Sequence, residues 1–211
     1  MKSHSEAGQD LWVLEILGNQ RNGFFVDAGA HDGEKCSNTL LLEKEFGWAG
    51  VCIEADPANF TALMEKRSCL CVNACLHPLR EMVRFFDFGL TGSVVDDGRD
   101  IGREAQGVPL EDVLDSVGSP PVIDYLSMDI EGHEHAVLEN FPFDRYAFRT
   151  ITIEHNDYSV GPGPKLRLRG LLFRHGYLLS RGDVTTPQGG SYEDWFIKPR
   201  CGSKAPTPRG A

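Results

Sequence analysis

Four acidic residues stand at the carboxyl ends of short apolar runs. Asp27 follows Phe24-Phe25-Val26, Glu54 follows Val51-Cys52-Ile53, Asp129 follows Val122–Met128, and Glu154 follows Thr150–Ile153. A carboxylate offers two oxygens that only accept hydrogen bonds. It suits a pair of hydroxyls, a cation, or a proton that must be moved. After Asp27 comes a turn of small residues, Gly29, Ala30 and Gly33, where backbone can approach a ligand closely and Gly33 can take positive φ. Glu54 lies about 20 residues beyond that turn, the spacing at which nucleotide-binding corners place the acid for both ribose hydroxyls. The plain alternative is a βαβ unit with Glu54 as a solvated strand end. Strand, glycine turn, helix and spaced acid together point to a nucleoside cofactor.

A dinucleotide turn needs Gly-x-Gly-x-x-Gly so that a pyrophosphate can reach a helix N-terminus. Here the bulky His31 occupies the middle glycine position, and Asp27 and Asp32 put negative charge where the pyrophosphate would lie. Those acids suit a cationic cofactor such as S-adenosylmethionine, with its ammonium and sulfonium, and disfavour a nicotinamide dinucleotide. Ser37 and Asn38 open the next helix as ordinary caps and also lie beside the expected ligand. Ala55 follows Glu54 directly and joins the same set. Asn73-Ala74 ends a third strand, where an amide could pair with an adenine edge. Gln9 precedes an apolar stripe and serves either as a cap or as a cofactor contact.

The elements that must hold these groups alternate. An amphipathic helix over Glu6–Leu17 precedes the first strand. A helix over Asn38–Phe46, a strand at Val51–Glu54, a helix from Asp56-Pro57 and a strand over Cys69–Leu76 follow. Val83–Gly89 alternates like a hairpin strand, whereas Thr91–Arg103 is polar, glycine-rich and without period, which predicts a long flexible loop. Leu110–Val117 is a short helix, and Val122–Met128 and Thr150–Ile153 are strands. Leu166–His175 is a basic helix, and Tyr177–Ser180 and Tyr192–Ile197 form a terminal hairpin. The tail from Pro199 reads as disordered. About five parallel strands plus a hairpin predict an α/β, Rossmann-like, seven-stranded and mostly parallel sheet with one antiparallel strand and helices on both faces. A dehydrogenase would repeat strand and helix to the end, so this ending also favours a methyltransferase.

The 211 residues fit a single domain, with boundaries at 4–198. A net charge of −10 argues against a nucleic-acid or anionic-membrane partner, because both need a basic surface. No apolar run reaches membrane-span length, and no signal region opens the chain. The six cysteines form no Cys-x-x-Cys pair and read as reduced, mostly buried side chains, which suits a cytoplasmic setting.

Taken together, Ser5–Asp10, Phe25–Gly33, Ser37-Asn38-Thr39, Cys52-Ile53-Glu54, Leu126–Glu134 and Ile151–His155 resemble the FkbM family of S-adenosylmethionine-dependent methyltransferases. The resemblance spans residues 4–198. The family's usual N-terminal glutamine stands here as Glu6, and His31 matches what the family shows at that position. The resemblance implies a class I methyltransferase fold and O-methylation of a hydroxyl on a sugar or small metabolite. It names no acceptor.

A hydroxyl is a poor nucleophile while protonated, so a base or a metal must help it. Asp129, Glu131, His133, Glu154 and His155 lie at the ends of two neighbouring strands, where open α/β sheets bind ligands. Asp129, His133, Glu154 and His155 are the catalytic candidates. Besides the plain case of a hydrogen bond or salt bridge to a side chain such as Arg149 or His133, two arrangements are open for the strand-end carboxylates. Asp129, Glu154 and His155 hold Mg2+ or Mn2+, or one carboxyl keeps a proton, since two like charges this close need neutralising. Two other functions stay open as alternatives: a noncatalytic cofactor-binding module, and an NAD-dependent oxidoreductase.

Overall fold

In the computed structural model, residues 2–88, 91–94, 101–185 and 189–199 are described. Their elements run α1 (Gln9–Ile16), β1 (Phe24–Ala28), α2 (Leu40–Phe46), β2 (Ala49–Glu54), α3 (Pro57–Lys66), β3 (Leu70–Asn73), β4 (Cys75–Leu76), β5 (Met82–Phe88), β6 (Thr91–Val94) and β7 (Arg103–Val108). They continue α4 (Leu110–Ser116), β8 (Val122–Met128), α5 (Glu134–Glu139), β9 (Ala147–Glu154), α6 (Asp157–Val160), α7 (Gly163–Arg174), β10 (Leu178–Thr185) and β11 (Ser191–Ile197).

The main sheet has seven strands in the order β10-β11-β9-β8-β1-β2-β3. β3, β2, β1, β8 and β9 are parallel neighbours, and β11 runs antiparallel to both β9 and β10. This is the expected Rossmann-like sheet with its reversed strand. Alternation along each strand explains the three layers. Val26, Val51, Ile53, Leu126 and Ile151 face α4, α5 and α7 through Leu114, Leu138 and Leu172. Phe25, Cys52, Tyr125 and Trp195 face α1, α2 and α3 through Trp12, Leu42 and Leu63. Strand order reverses between β1 and β8, so a crevice opens at their carboxyl ends. Among the described residues no helix is long and apolar enough to cross a membrane.

Three expectations change. The helix read over Glu6–Leu17 begins only at Gln9, because Gly8 takes a left-handed φ of 84° and Asp10 accepts hydrogen bonds from Ser3 Oγ, His4 N and Ser5 Oγ, tying down an irregular N-terminal segment. The strand read over Cys69–Leu76 breaks at Ala74, whose amide bonds Glu54 O while β4 leaves for a second sheet. That sheet, β4-β7-β5-β6, also takes in Thr91–Val94 and Arg103, which periodicity had assigned to a flexible loop. Backbone pairing to β5 supplies order there without an apolar repeat. Gly92 fits because a Cβ would meet the Phe85 ring at 2.7 Å. Residues 95–100 and the tail from residue 200 lie outside the described residues.

Where β11 crosses under α1, Glu193 is 3 % exposed and accepts from Trp195 Nε1 at 2.6 Å and Gln9 Nε2 at 2.9 Å. Burial pushes its carboxyl up to about 8 from an ordinary 4.5. An acid whose folded pKa is raised contributes stability that is present below pH 4.5 and lost as pH rises through about 8. Stability measured by urea unfolding is therefore expected to fall across that window. Glu193→Gln, which keeps both acceptor bonds, is expected to flatten the slope. An unchanged slope in the variant would place the titrating group elsewhere.

Candidate functional site

A cavity of about 270 Å³ opens at the crevice between the carboxyl ends of β1, β2, β4 and β8. The turn after β1 builds its floor. Gly29 has φ +85°, and a Cβ there would sit 1.7 Å from the Asp129 carbonyl oxygen, so only glycine lets the turn cross β8. The amides of Gly29 and Ala30 both bond Ile53 O, at 3.0 and 3.1 Å, which fixes the turn to β2.

Glu54 straps the two loops on either side. Its Oε2 accepts from His31 N at 2.8 Å and its Oε1 from Asp56 N at 2.7 Å. Burial raises its pKa, and those two amides work against the rise. Each oxygen keeps a second lone pair for a ligand hydroxyl. Asp27 lies deeper, with Oδ2 accepting from Thr39 Oγ1 at 2.5 Å and Arg67 Nη1 4.0 Å away. Burial raises its pKa too, against the Arg67 charge. Asn38 donates Nδ2 to Ser127 Oγ at 3.0 Å, while its Oδ1 is buried without a partner, as is Nε2 of His31. Both residues line the cavity. Orphaned polar atoms in a cavity wall are what a bound polar ligand would satisfy. A nucleoside cofactor fits this donor and acceptor set.

Asp27, Gly29, Ala30, Ser37, Asn38, Glu54, Ala55, Ala74, Asp129 and His133 all line the cavity. Four other candidates are used by the fold instead. Asp32 accepts from Lys66 Nζ at 2.6 Å and from the amides of Glu34 and Lys35. Burial opposes its ionisation, but these bonds outweigh it and hold the carboxyl well below its usual range, so its charge is answered by Lys66. Gln9 spans Ala7 N, Tyr192 Oη and Glu193. Asn73 donates to Glu54 O and Ala55 O, shaping the cavity rim from outside. His155 accepts from Asp157 N at Nδ1 and turns Nε2 to within 3.7 Å of Asp194 Oδ1, an acid that also takes two bonds from Arg169.

The ligand set Asp129, Glu154 and His155 is therefore not assembled. Asp194 draws the imidazole under β11, and the third acid beside Asp129 and Glu154 is Glu134, with one oxygen of each within 4.8 Å of the others. Glu134 spends Oε1 on the amides of Ile130 and Gly132. Asp129 and Glu154 each bring one oxygen within 4.8 Å of the other, and burial followed by the Asp129 charge pushes the Glu154 carboxyl far above its ordinary value, while Glu154 Oε2 is buried without a hydrogen-bond partner. Like charges this close raise the cost of ionising both carboxyls.

Several lining residues carried little or no sequence signal. Glu131 was visible only as one more acid near β8, yet it occupies a left-handed φ of 59°, unusual for a residue with a side chain, and lines the cavity. Burial and the Asp129 charge push its carboxyl up to about 7. His133, beside it, stacks on His77 with ring centroids 5.8 Å apart. Glu6 reaches the cavity from the N-terminal segment, and Phe85 and Val94 reach it from the second sheet. Only the alternation in Val83–Gly89 hinted at that wall.

Arg67 supports the turn from below. Its side chain is fully buried and donates to Glu43 Oε2 at 2.5 Å, Thr39 Oγ1 at 2.9 Å, Gly33 O at 3.2 Å and Ser37 Oγ at 3.3 Å. Removing one member of such a buried pair leaves an uncompensated charge. Arg67→Met is expected to lose about 3–5 kcal/mol of folding stability in denaturant titrations. A loss below about 1 kcal/mol, the range of exposed pairs, would mean that this cation is not needed for the turn.

With the geometry established, comparison with known proteins gives the family. The model described as the methyltransferase FkbM domain matches residues 27–179. No curated protein matches the sequence. Among solved structures, the methyltransferase FkbM from Methylobacillus flagellatus KT superposes with a TM-score of 0.56 at 15% identity, over 83% of this chain and 43% of that one. A precorrin-6y C5,15-methyltransferase from Geobacter metallireducens GS-15 gives 0.51 at 13% identity, over 90% of this chain and 87% of that one. The N-terminal domain of human METTL16 gives 0.50 at 14% identity, over 89% and 67%. At such identities these likenesses speak for the fold, and the family match carries the assignment: the chain belongs to the FkbM methyltransferase family.

Proposed function

We propose that this chain is an S-adenosylmethionine-dependent methyltransferase that methylates a hydroxyl of a sugar or other small metabolite. The observation that carries the cofactor half is Glu54, a buried acid held at the end of β2 with free lone pairs, across the cavity floor from the unpartnered Asn38 Oδ1. When bound, the cofactor supplies an electrophilic methyl group on a sulfonium. Glu54 holds the ribose hydroxyls, and Ala55, Ala74, Phe85 and Val94 provide apolar walls for the base. Asp27, Asn38 and Asp129 offer acceptors to a cationic amino-acid portion.

Glu131 is the base that this geometry favours for the acceptor. It lines the cavity beside Asp129, and a carboxyl raised to about 7 is half ionised at neutral pH, where a general base works best. Glu131 takes the hydroxyl proton, and Asp129, with the raised Glu154 carboxyl close to it, fixes the electrostatics behind it. This role needs no metal in the set named from sequence. The net charge of −10 favours a neutral or cationic small acceptor over nucleic acid.

Calorimetry with S-adenosylhomocysteine tests the cofactor. Binding is expected in the unmodified protein, and Glu54→Ala should weaken it by about 1.5–3 kcal/mol, the range for a hydrogen bond to a charged group. Binding of NAD in its place would reverse the assignment to an oxidoreductase. A panel of sugars, phenols and hydroxy acids then identifies the acceptor. With a turning-over acceptor, kcat/KM is expected to rise with pH through about 7 as Glu131 ionises. Glu131→Gln should lower kcat by about 10²–10⁴-fold and remove that rise while sparing cofactor affinity. A profile that keeps its rise in this variant would assign the base to another group.

A further inference from the structure

Outside the cavity, three cysteines share the face of the sheet that packs on α2 and α3. Cys52 lies on β2 with no exposure, Cys71 is its register partner on β3, and Cys69 stands two residues before Cys71 on the same side. Cys52 Sγ and Cys69 Sγ are 3.5 Å apart, whereas Cys71 turns its thiol to Cys69 O. Cys69 is half-buried and lines an open groove with Glu43, Trp48, Ser68 and Leu70. Of the pair, the half-buried Cys69 therefore stands at the groove and the buried Cys52 behind it.

We propose that Cys69 and Cys52 form a peroxide-sensitive dithiol, with Cys69 meeting the oxidant and Cys52 closing a disulfide onto it. Hydrogen peroxide oxidises the Cys69 thiol to a sulfenic acid and is reduced, releasing one water. Cys52 sulfur then attacks the Cys69 sulfur. The S–O bond breaks, and the hydroxyl leaves with the Cys52 proton as a second water. Two thiols lose two electrons and one peroxide gains them.

Closure has a mechanical consequence. A disulfide needs its sulfurs about 2.05 Å apart, so the pair must approach by about 1.5 Å. Cys52 is held in β2 by pairing to β1 on one side and β3 on the other, so the movement falls on the link between α3 and β3. That link carries Arg67 and Ser68, which together make six hydrogen bonds to Gly33, Ser37, Thr39 and Glu43. Hydrogen bonds weaken steeply with distance and angle. Oxidation thus loosens the support under the glycine turn. The proposal does not depend on which cofactor that turn binds.

The test treats the full chain with hydrogen peroxide and maps peptides without reduction. The expected product is an intramolecular Cys52–Cys69 cross-link, reversed by dithiothreitol, absent in Cys69→Ser and retained in Cys71→Ser. Hydrogen exchange across Gly29–Thr39 should be several-fold faster in the oxidised chain than in the reduced one. A Cys52–Cys71 or intermolecular bond, or Cys69 passing to sulfinic acid without pairing, would overturn the dithiol assignment. Equal exchange in the two states would overturn the link to the turn.

Discussion

One buried cation holds this structure's ligand-binding corner together. Arg67 ends α3, beneath the turn after β1, and reaches Glu43 on α2, Thr39 and Ser37 at its start, and the Gly33 carbonyl. The Asp27 carboxylate on β1 lies 4.0 Å away. Burial still raises the Asp27 carboxyl against that charge. Burial pushes Glu43 up as well, but the bonds from Ser68 and Arg67 outweigh it and bring its carboxyl down to about 2. The guanidinium has five donors in a fixed plane, and a lysine could not spread its charge over so many partners. Gly33 is small for the same reason, since a Cβ there would strike Leu63 and the Arg67 stem at 2.6 and 2.7 Å.

The acids on the other side of the cavity have no such partner, and they behave differently. Asp129 and the buried Glu154 end neighbouring parallel strands, with the buried Glu134 close by. There burial and neighbouring acids raise the carboxyls, Glu131 and Glu134 each to about 7. The cavity therefore has one end braced by a fixed positive charge and another where carboxyls are raised toward neutral pH. Binding and proton transfer make these opposite demands on acidic side chains.

The main sheet was legible from sequence because its central strands β1, β2, β8 and β9 are largely buried on both faces and read as apolar runs, each closed by an acid or a turn. Glu54 and Gly29 were legible because their chemistry depends on backbone position and spacing. His155 was not, because its neighbour in sequence is Glu154 while its neighbour in space is Asp194, brought there by the antiparallel return of β11. The partner of Asp32 was hidden for a similar reason, since Lys66 comes to it from the far end of α3. Glu131 carried no local mark, because its left-handed backbone arises only where β8 meets the turn before α5. The second sheet was half hidden. β6 contains glycine and polar residues whose order comes from pairing with β5.

That second sheet has its own small apolar cluster of Cys75, Val83, Phe85 and Ala105, separate from the clusters on either face of the main sheet. It is joined to the fold through the two residues of β4 and through Arg103, which bonds Ala55 O and lies over the Phe85 ring. One wall of the cavity is therefore built from parts that the central three layers do not share. In evolutionary terms, this arrangement uncouples selectivity from foldability. Exchanges along β5 and β6 reshape what the cavity admits, while the packing that keeps the chain folded stays out of reach of those exchanges.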